Sequence, residues 1–247
     1  QLFLATHSED FLKGLLDSNI ERLKILRIQR EGNINHISEL NSEDIKSIWS
    51  DSLLRHSNIL SGLFHSKVVI CEGDSDCRFY SAVLDSLYED NTDAYPDILF
   101  IHCGGKDRIA TVVKALKKLD VPISIITDFD FLNDTNPLKK VYQETTGNWS
   151  DIEKDWEIVK SGVEGKKIKP KIVDSKRKII EILNSIDDIS FPKDKIKAIE
   201  NVINEISSSA WKDAKKEGKS FVPSGDATQA FNRLIAKLNE KKIFVVE

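Results

Sequence analysis

Val68-Val69-Ile70-Cys71-Glu72-Gly73-Asp74-Ser75-Asp76 is an apolar run that stops abruptly on a carboxylate. Four consecutive apolar residues before a turn read as a strand buried on both faces, the kind found in parallel sheets. A helix is expected next, from about Ser75 to Leu87, with Phe79, Val83 and Leu87 on one face. The pattern then recurs. Ile98 to His102 ends at Cys103-Gly104-Gly105-Lys106 and opens a helix from Asp107 to Leu119, and Ile123 to Thr127 ends at Asp128-Phe129-Asp130. Strand, helix, strand, helix, strand predicts an α/β fold, a mostly parallel sheet flanked by helices. Open α/β sheets build their sites at the C-terminal ends of the strands. The acids and glycines fall there.

Upstream, residues 1–5 are apolar and read as a strand, and Ser8 caps a helix from about Glu9 to Leu16. Strands are expected at Leu23 to Gln29 and Ile34 to Ile37, joined by a turn at Glu31-Gly32-Asn33, before a helix from Ser42 to Leu54. Downstream, residues 137–219 are helical in pattern and rich in lysine. Lys166 to Lys178 carries seven basic residues against the single acid Asp174, a candidate contact for a nucleic-acid backbone. A helix from Asp226 to Leu238 and a strand from Ile243 to Val246 close the chain.

Composition excludes several classes. With 36 Lys plus Arg against 40 Asp plus Glu, the net charge of −4 rules out a wholly basic coat but not a local basic groove. Cys71, Cys77 and Cys103 lack C-x-x-C spacing, which argues against a zinc module and a disulfide framework. His36, His56, His65 and His102 have no ligand spacing either. No apolar run approaches the roughly 20 residues of a membrane span, and the five apolar-rich residues at the start are too short for a signal peptide. A cytoplasmic location is expected. The chain has no methionine and starts with Gln1, which reads as a segment of a longer protein or as a sequence lacking its methionines.

The acids carry the chemistry. Glu72 and Asp128 are expected to emerge from neighbouring strand ends, with Asp76 swinging back from the first helical turn. Asp128 and Asp130, two apart on an extended segment, would point the same way. Several carboxylates converging without matched bases form a hard-oxygen site for Mg²⁺ or Mn²⁺.

Cys71-Glu72-Gly73-Asp74-Ser75-Asp76, Cys103-Gly104-Gly105-Lys106 and Thr127-Asp128-Phe129-Asp130 together resemble the three signatures of a TOPRIM domain, the Rossmann-like module of topoisomerases, bacterial primases and certain nucleases. Leu2-Phe3-Leu4-Ala5-Thr6-His7-Ser8-Glu9-Asp10 resembles the last catalytic strand of an ABC-type ATPase, with His7 as the remnant of its ATP sensor. An ATPase followed by TOPRIM is the layout of the overcoming-lysogenization-defect (OLD) nucleases. The resemblance implies an ATPase tail and linker over residues 1–60, a TOPRIM core over 66–136, a helical insertion over 137–222, and a return helix and closing strand over 223–247.

It further implies a DNA endonuclease, in a family with antiphage members, that uses one or two Mg²⁺ or Mn²⁺ ions. Glu72, Asp76, Asp128 and Asp130 would hold metal, and Glu72, Asp128, Asp130 and a late lysine, Lys215 or Lys219, would be catalytic. Asp74 and Asp134 would support them or be solvated. Gly104, Gly105, Lys106, Lys166, Lys167 and Lys169 are the expected DNA contacts. No G-x-x-x-x-G-K-[ST] is present, so ATP would matter only in a full-length protein. The expected partners are DNA, an ATPase domain and further copies of the chain. The alternatives are a non-catalytic DNA-binding or dimerisation module, or another TOPRIM enzyme of topoisomerase or primase type.

Overall fold

The computed structural model describes residues 2–18, 22–50, 52, 58–89, 94–118, 120–166, 170–186, 190–207 and 209–246. They divide into two compact units, residues 1–151 with 235–246 and residues 152–234.

The first unit is built on a four-stranded parallel sheet. Its strands are β3 (Lys67–Cys71), β4 (Ile98–His102), β5 (Ile123–Thr127) and β6 (Ile243–Val245), in the order β4-β3-β5-β6. Register follows burial: Ile70 pairs with Ile101 and Ile125, and Ile125 pairs with Ile243, all fully buried or nearly so. Three helices follow the strands: α3 (Asp74–Tyr88), α4 (Ile109–Lys118) and α5 (Thr135–Glu144). Helix α4 buries Ile109, Val112, Val113 and Leu116, the i, i+3, i+4, i+7 set of an amphipathic helix. The α/β class and the parallel sheet agree with the sequence reading.

An antiparallel hairpin precedes this core, with strands β1 (Ile25–Glu31) and β2 (Ile34–Leu40) around Gly32-Asn33. Helices α1 (Glu9–Asp17) and α2 (Ser42–Trp49) flank it in sequence. Ser8 caps α1 by accepting the Phe11 N–H at 3.2 Å. Arg27 ties the hairpin to the core. Its guanidinium donates to the carbonyls of Leu63 (3.1 Å), His65 (3.1 Å) and Asp120 (2.6 Å).

Three expectations need correction. Residues 2–5 are not a strand: they pair with no strand among the described residues, and Leu2, Phe3 and Leu4 are exposed. On α3, the face bearing Phe79, Val83 and Leu87 is exposed, and Cys77 is the residue buried against β3. Asp128 is extended, but Asp130 is not on the same extended segment. Burial of Phe129, Phe131 and Leu132 winds the chain into a 3-10 turn, Phe129–Asn133, directly after β5.

The second unit is helical: α6 (Glu153–Gly165), α7 (Ile172–Asn184), α8 (Lys193–Ser207), α9 (Ala210–Glu217) and the first part of α10 (Asp226–Glu240). Trp156, Val159, Val163, Trp211, Ala214 and Phe231 are buried in it. The Asp155 carboxylate is also buried and accepts two bonds from Arg233, at 2.7 and 3.0 Å.

Candidate metal and nucleic-acid site

The C-terminal ends of β3, β4 and β5 meet at one edge of the sheet. Cys103 donates its N–H to the Cys71 carbonyl at 3.2 Å, continuing the β3–β4 ladder for one residue. Gly104 and Gly105 then take φ of 70° and 120°, a reversal that a side chain would strain. This reversal lets Gly105 donate its N–H to the Glu72 carbonyl at 3.0 Å. The Gly-Gly pair thus locks the loop after β4 onto the residue after β3 and delivers Lys106 above the end of β5.

On the other side of β3, Glu72 reaches across to β5. Its Oε1 accepts the Asp128 N–H at 3.2 Å, a bond between residues 56 apart in the chain. Parallel pairing of β3 with β5 is what makes them neighbours. Asp76 swings back as expected: its Oδ2 accepts the Gly73 N–H at 2.9 Å and caps α3. Glu72, Asp76, Asp128 and Asp130 are all half-buried.

Lys106 lies among these acids rather than on an open groove. Its ammonium is 2.7 Å from Asp134 Oδ2 and 3.6 Å from Asp130 Oδ2, and it donates to the Asp130 carbonyl at 3.4 Å. Burial opposes its charge, but the bond to Asp134 and the pull of Asp130, Asp134 and Glu72 prevail and raise its pKa. Lys106, an expected DNA contact, has these carboxylates as its protein neighbours. Tyr80, four residues after Asp76 on α3, is a neighbour that no motif marks. Burial raises its pKa, and so do Cys71, Asp76 and Asp128 nearby.

Among the described residues, no group of three or more His, Cys, Asp or Glu side chains is gathered tightly enough to hold a metal ion as it stands. Glu72 is engaged with the Asp128 backbone, Asp76 with Gly73, and Asp130 and Asp134 with Lys106. The chemistry of the set nonetheless fits a hard divalent cation. Its donors are carboxylate and carbonyl oxygens, and the group already stabilises one cation, the Lys106 ammonium.

The cysteines nearby differ: the bond with Cys71 lowers the pKa of Cys77, and Cys103 shifts the other way. All three are free and buried. Burial pushes the Cys103 thiol up to about 12, far from the thiolate range of a nucleophile or soft-metal ligand.

The remaining sequence-predicted residues lie elsewhere. His7 is exposed in the segment before α1. Lys215 and Lys219 are exposed in the second unit, Lys219 with its ammonium 6.0 Å from the Phe231 ring centre. Lys166, also in that unit, stands 4.8 Å from the Phe221 ring centre. Lys167 and Lys169 fall outside the described residues. No helix among the described residues is long and apolar enough to cross a membrane.

Residues 63–130 match the family described as "Overcoming lysogenization defect protein-like, TOPRIM domain". The match starts just before β3 and ends inside the turn that carries Asp128 and Asp130, so it contains all three strand-end motifs. A TOPRIM domain is a metal-binding module of nuclease or primase type, and the four-stranded parallel sheet flanked by helices is consistent with one. No curated protein and no solved structure matches the chain.

Proposed function

We propose that this chain is the divalent-metal-dependent DNA endonuclease part of an ATPase-coupled OLD-type protein that acts in defence against phage. The observation that carries the reading is the bond from the Asp128 N–H to Glu72 Oε1. It couples the first and third motifs at one sheet edge, within the stretch similar to an OLD-type TOPRIM domain. Glu72, Asp76, Asp128 and Asp130 would hold one or two ions, Mg²⁺ or Mn²⁺. Bound there, the metal supplies a water of lowered pKa and Lewis-acid stabilisation of phosphate oxygens.

The chain's own residues do the rest. The sheet edge positions Glu72 and Asp128 on adjacent strand ends, a rigid base for orienting carboxylates. Gly104 and Gly105, bare of side chains, let a phosphate approach the backbone. Lys215 or Lys219 would stabilise charge developing on the scissile phosphate. The basic stretch from Lys166 through Lys167 and Lys169 would hold the DNA backbone, an affinity that falls with salt.

Supercoiled plasmid incubated with Mg²⁺, Mn²⁺, Ca²⁺ or EDTA tests this reading. Metal-dependent nicking should fall by at least about a hundredfold in Glu72→Ala and in Asp128→Ala, with circular dichroism unchanged. Cutting at the wild-type rate by either variant would remove the catalytic assignment. A second reading, a non-catalytic nucleic-acid-binding module, draws on the Lys106 ammonium that partly neutralises the acidic group. Plasmid binding without cleavage under any of these metals would favour it.

A further inference from the structure

We infer that Lys106, anchored by Asp134, is a built-in counter-ion that competes with the divalent metal for Asp130, so metal loading displaces the lysine from that carboxylate. The inference rests on the metal-site reading above and adds a way of regulating that site. Three contacts carry it: Lys106 to Asp134 at 2.7 Å, to Asp130 Oδ2 at 3.6 Å, and to the Asp130 carbonyl at 3.4 Å. Its side chain is only 22% exposed, so the charge is held in the group rather than trailing in solvent.

A divalent ion on the Asp130 carboxylate would sit roughly 2.1 Å from an oxygen. An ammonium within about 4 Å of that ion would repel it strongly in a half-buried setting. Each cation therefore weakens the other's hold on Asp130. Gly104 and Gly105, at positive φ, turn the chain so that Lys106 lies beside the acids that follow β5. Lysine also suits displacement: a compact charge on a flexible four-carbon stem can swing out without moving the main chain. Once displaced from Asp130, the ammonium stands at the mouth of the site, where a DNA phosphate would approach. Metal occupancy and substrate affinity would then be linked through one side chain.

Calorimetric titration of Mn²⁺ into the chelator-stripped chain, at low salt and near neutral pH, tests the idea without recourse to cleavage. Lys106→Met should bind Mn²⁺ about tenfold more tightly than wild type, because a competing charge is gone. Lys114→Met, which removes the same charge from the exposed face of α4, should leave the affinity unchanged. The metal-free Lys106→Met chain should also melt below wild type and regain stability when Mn²⁺ is added. Lys106→Gln serves the same comparison if the methionine variant does not fold. Equal or weaker Mn²⁺ binding by the Lys106 variants, with wild type binding normally, overturns the counter-ion role and leaves the metal site standing. Absence of Mn²⁺ binding in wild type and variants alike overturns both.

Discussion

His65 and Asp97 show how a single pair at the base of the sheet can make stability depend on pH. His65 Nδ1 lies 2.6 Å from Asp97 Oδ1, and the Ser66 N–H and hydroxyl both donate to Asp97 Oδ2, at 2.7 and 2.9 Å. Slight burial pushes the Asp97 carboxyl up, but the bonds from His65 and Ser66 prevail and hold it below the usual carboxylate range. A lowered carboxylate pKa stabilises the fold above the unfolded value of about 3.9, and that contribution fades as pH falls through the folded value. Urea midpoints of wild type and Asp97→Asn should therefore differ at about pH 6 and draw together as pH falls below the usual carboxylate range. A gap that does not change with pH would assign Asp97 to packing alone. At the sheet's other end, the contacts of Glu72 and Lys106 serve the acidic group rather than the fold's base.

Among the elements, the β1–β2 hairpin depends most visibly on one side chain. Ile28 pairs with Ile37 on a face that remains exposed, so little apolar burial holds the ribbon on that side. Arg27, on the opposite face, is buried and binds three carbonyls of the core. Burial lowers its pKa, and Asp120 acts in the other direction to preserve the charge. Arg27→Leu keeps an apolar stem but orphans the carbonyls of Leu63, His65 and Asp120. A loss of about 2–3 kcal/mol is expected from urea unfolding, with amide exchange in β1 and β2 accelerated before that in β3. Helix α3 is the second telling element. Its Phe79, Val83 and Leu87 stripe has the spacing of a core face, yet Cys77 and half-buried Tyr80 meet the sheet. Periodicity identifies an amphipathic helix, but it does not say which of two weakly apolar faces turns inward.

For the first unit as a whole, the last strand completes the sheet. β6 pairs with β5 through Ile243 against Ile125, both fully buried, although their positions are far apart in sequence. Val246 adds a bond by donating its N–H to the Thr127 carbonyl at 2.9 Å, immediately before Asp128. The sheet edge that carries the acids is therefore braced by the end of the chain. Ile243→Ala should cost about 2–4 kcal/mol, seen as a lowered denaturant midpoint. An effect below about 1 kcal/mol would mean that β6 contributes little to the core. The second unit rests on a different balance, a small aromatic core with the buried Asp155 carboxylate neutralised by Arg233. The loop-to-helix lysines of that unit, Lys166 and Lys219, each lie over an aromatic ring, which limits how freely either side chain ranges.

The sequence by itself determined the α/β class, the positions of β3, β4 and β5, and the acids at their ends. These are local properties: a buried strand must be an unbroken apolar run, and the turn after it must carry polar or glycine residues. The break at Gly104-Gly105 was legible too, but its positive φ and the bond it makes to Glu72 were not. Tertiary structure decided the rest. Neighbouring ends for Glu72 and Asp128 were an expectation, but the bond from the Asp128 N–H to Glu72 was decided by β3 pairing with β5, which no single strand records. The 3-10 turn at Asp128 arose because two phenylalanines and a leucine were drawn into the core, which alternation in sequence did not reveal. Lys106 met Asp130 and Asp134 because a charge takes the partner that folding brings within reach, and that distance exists only in three dimensions.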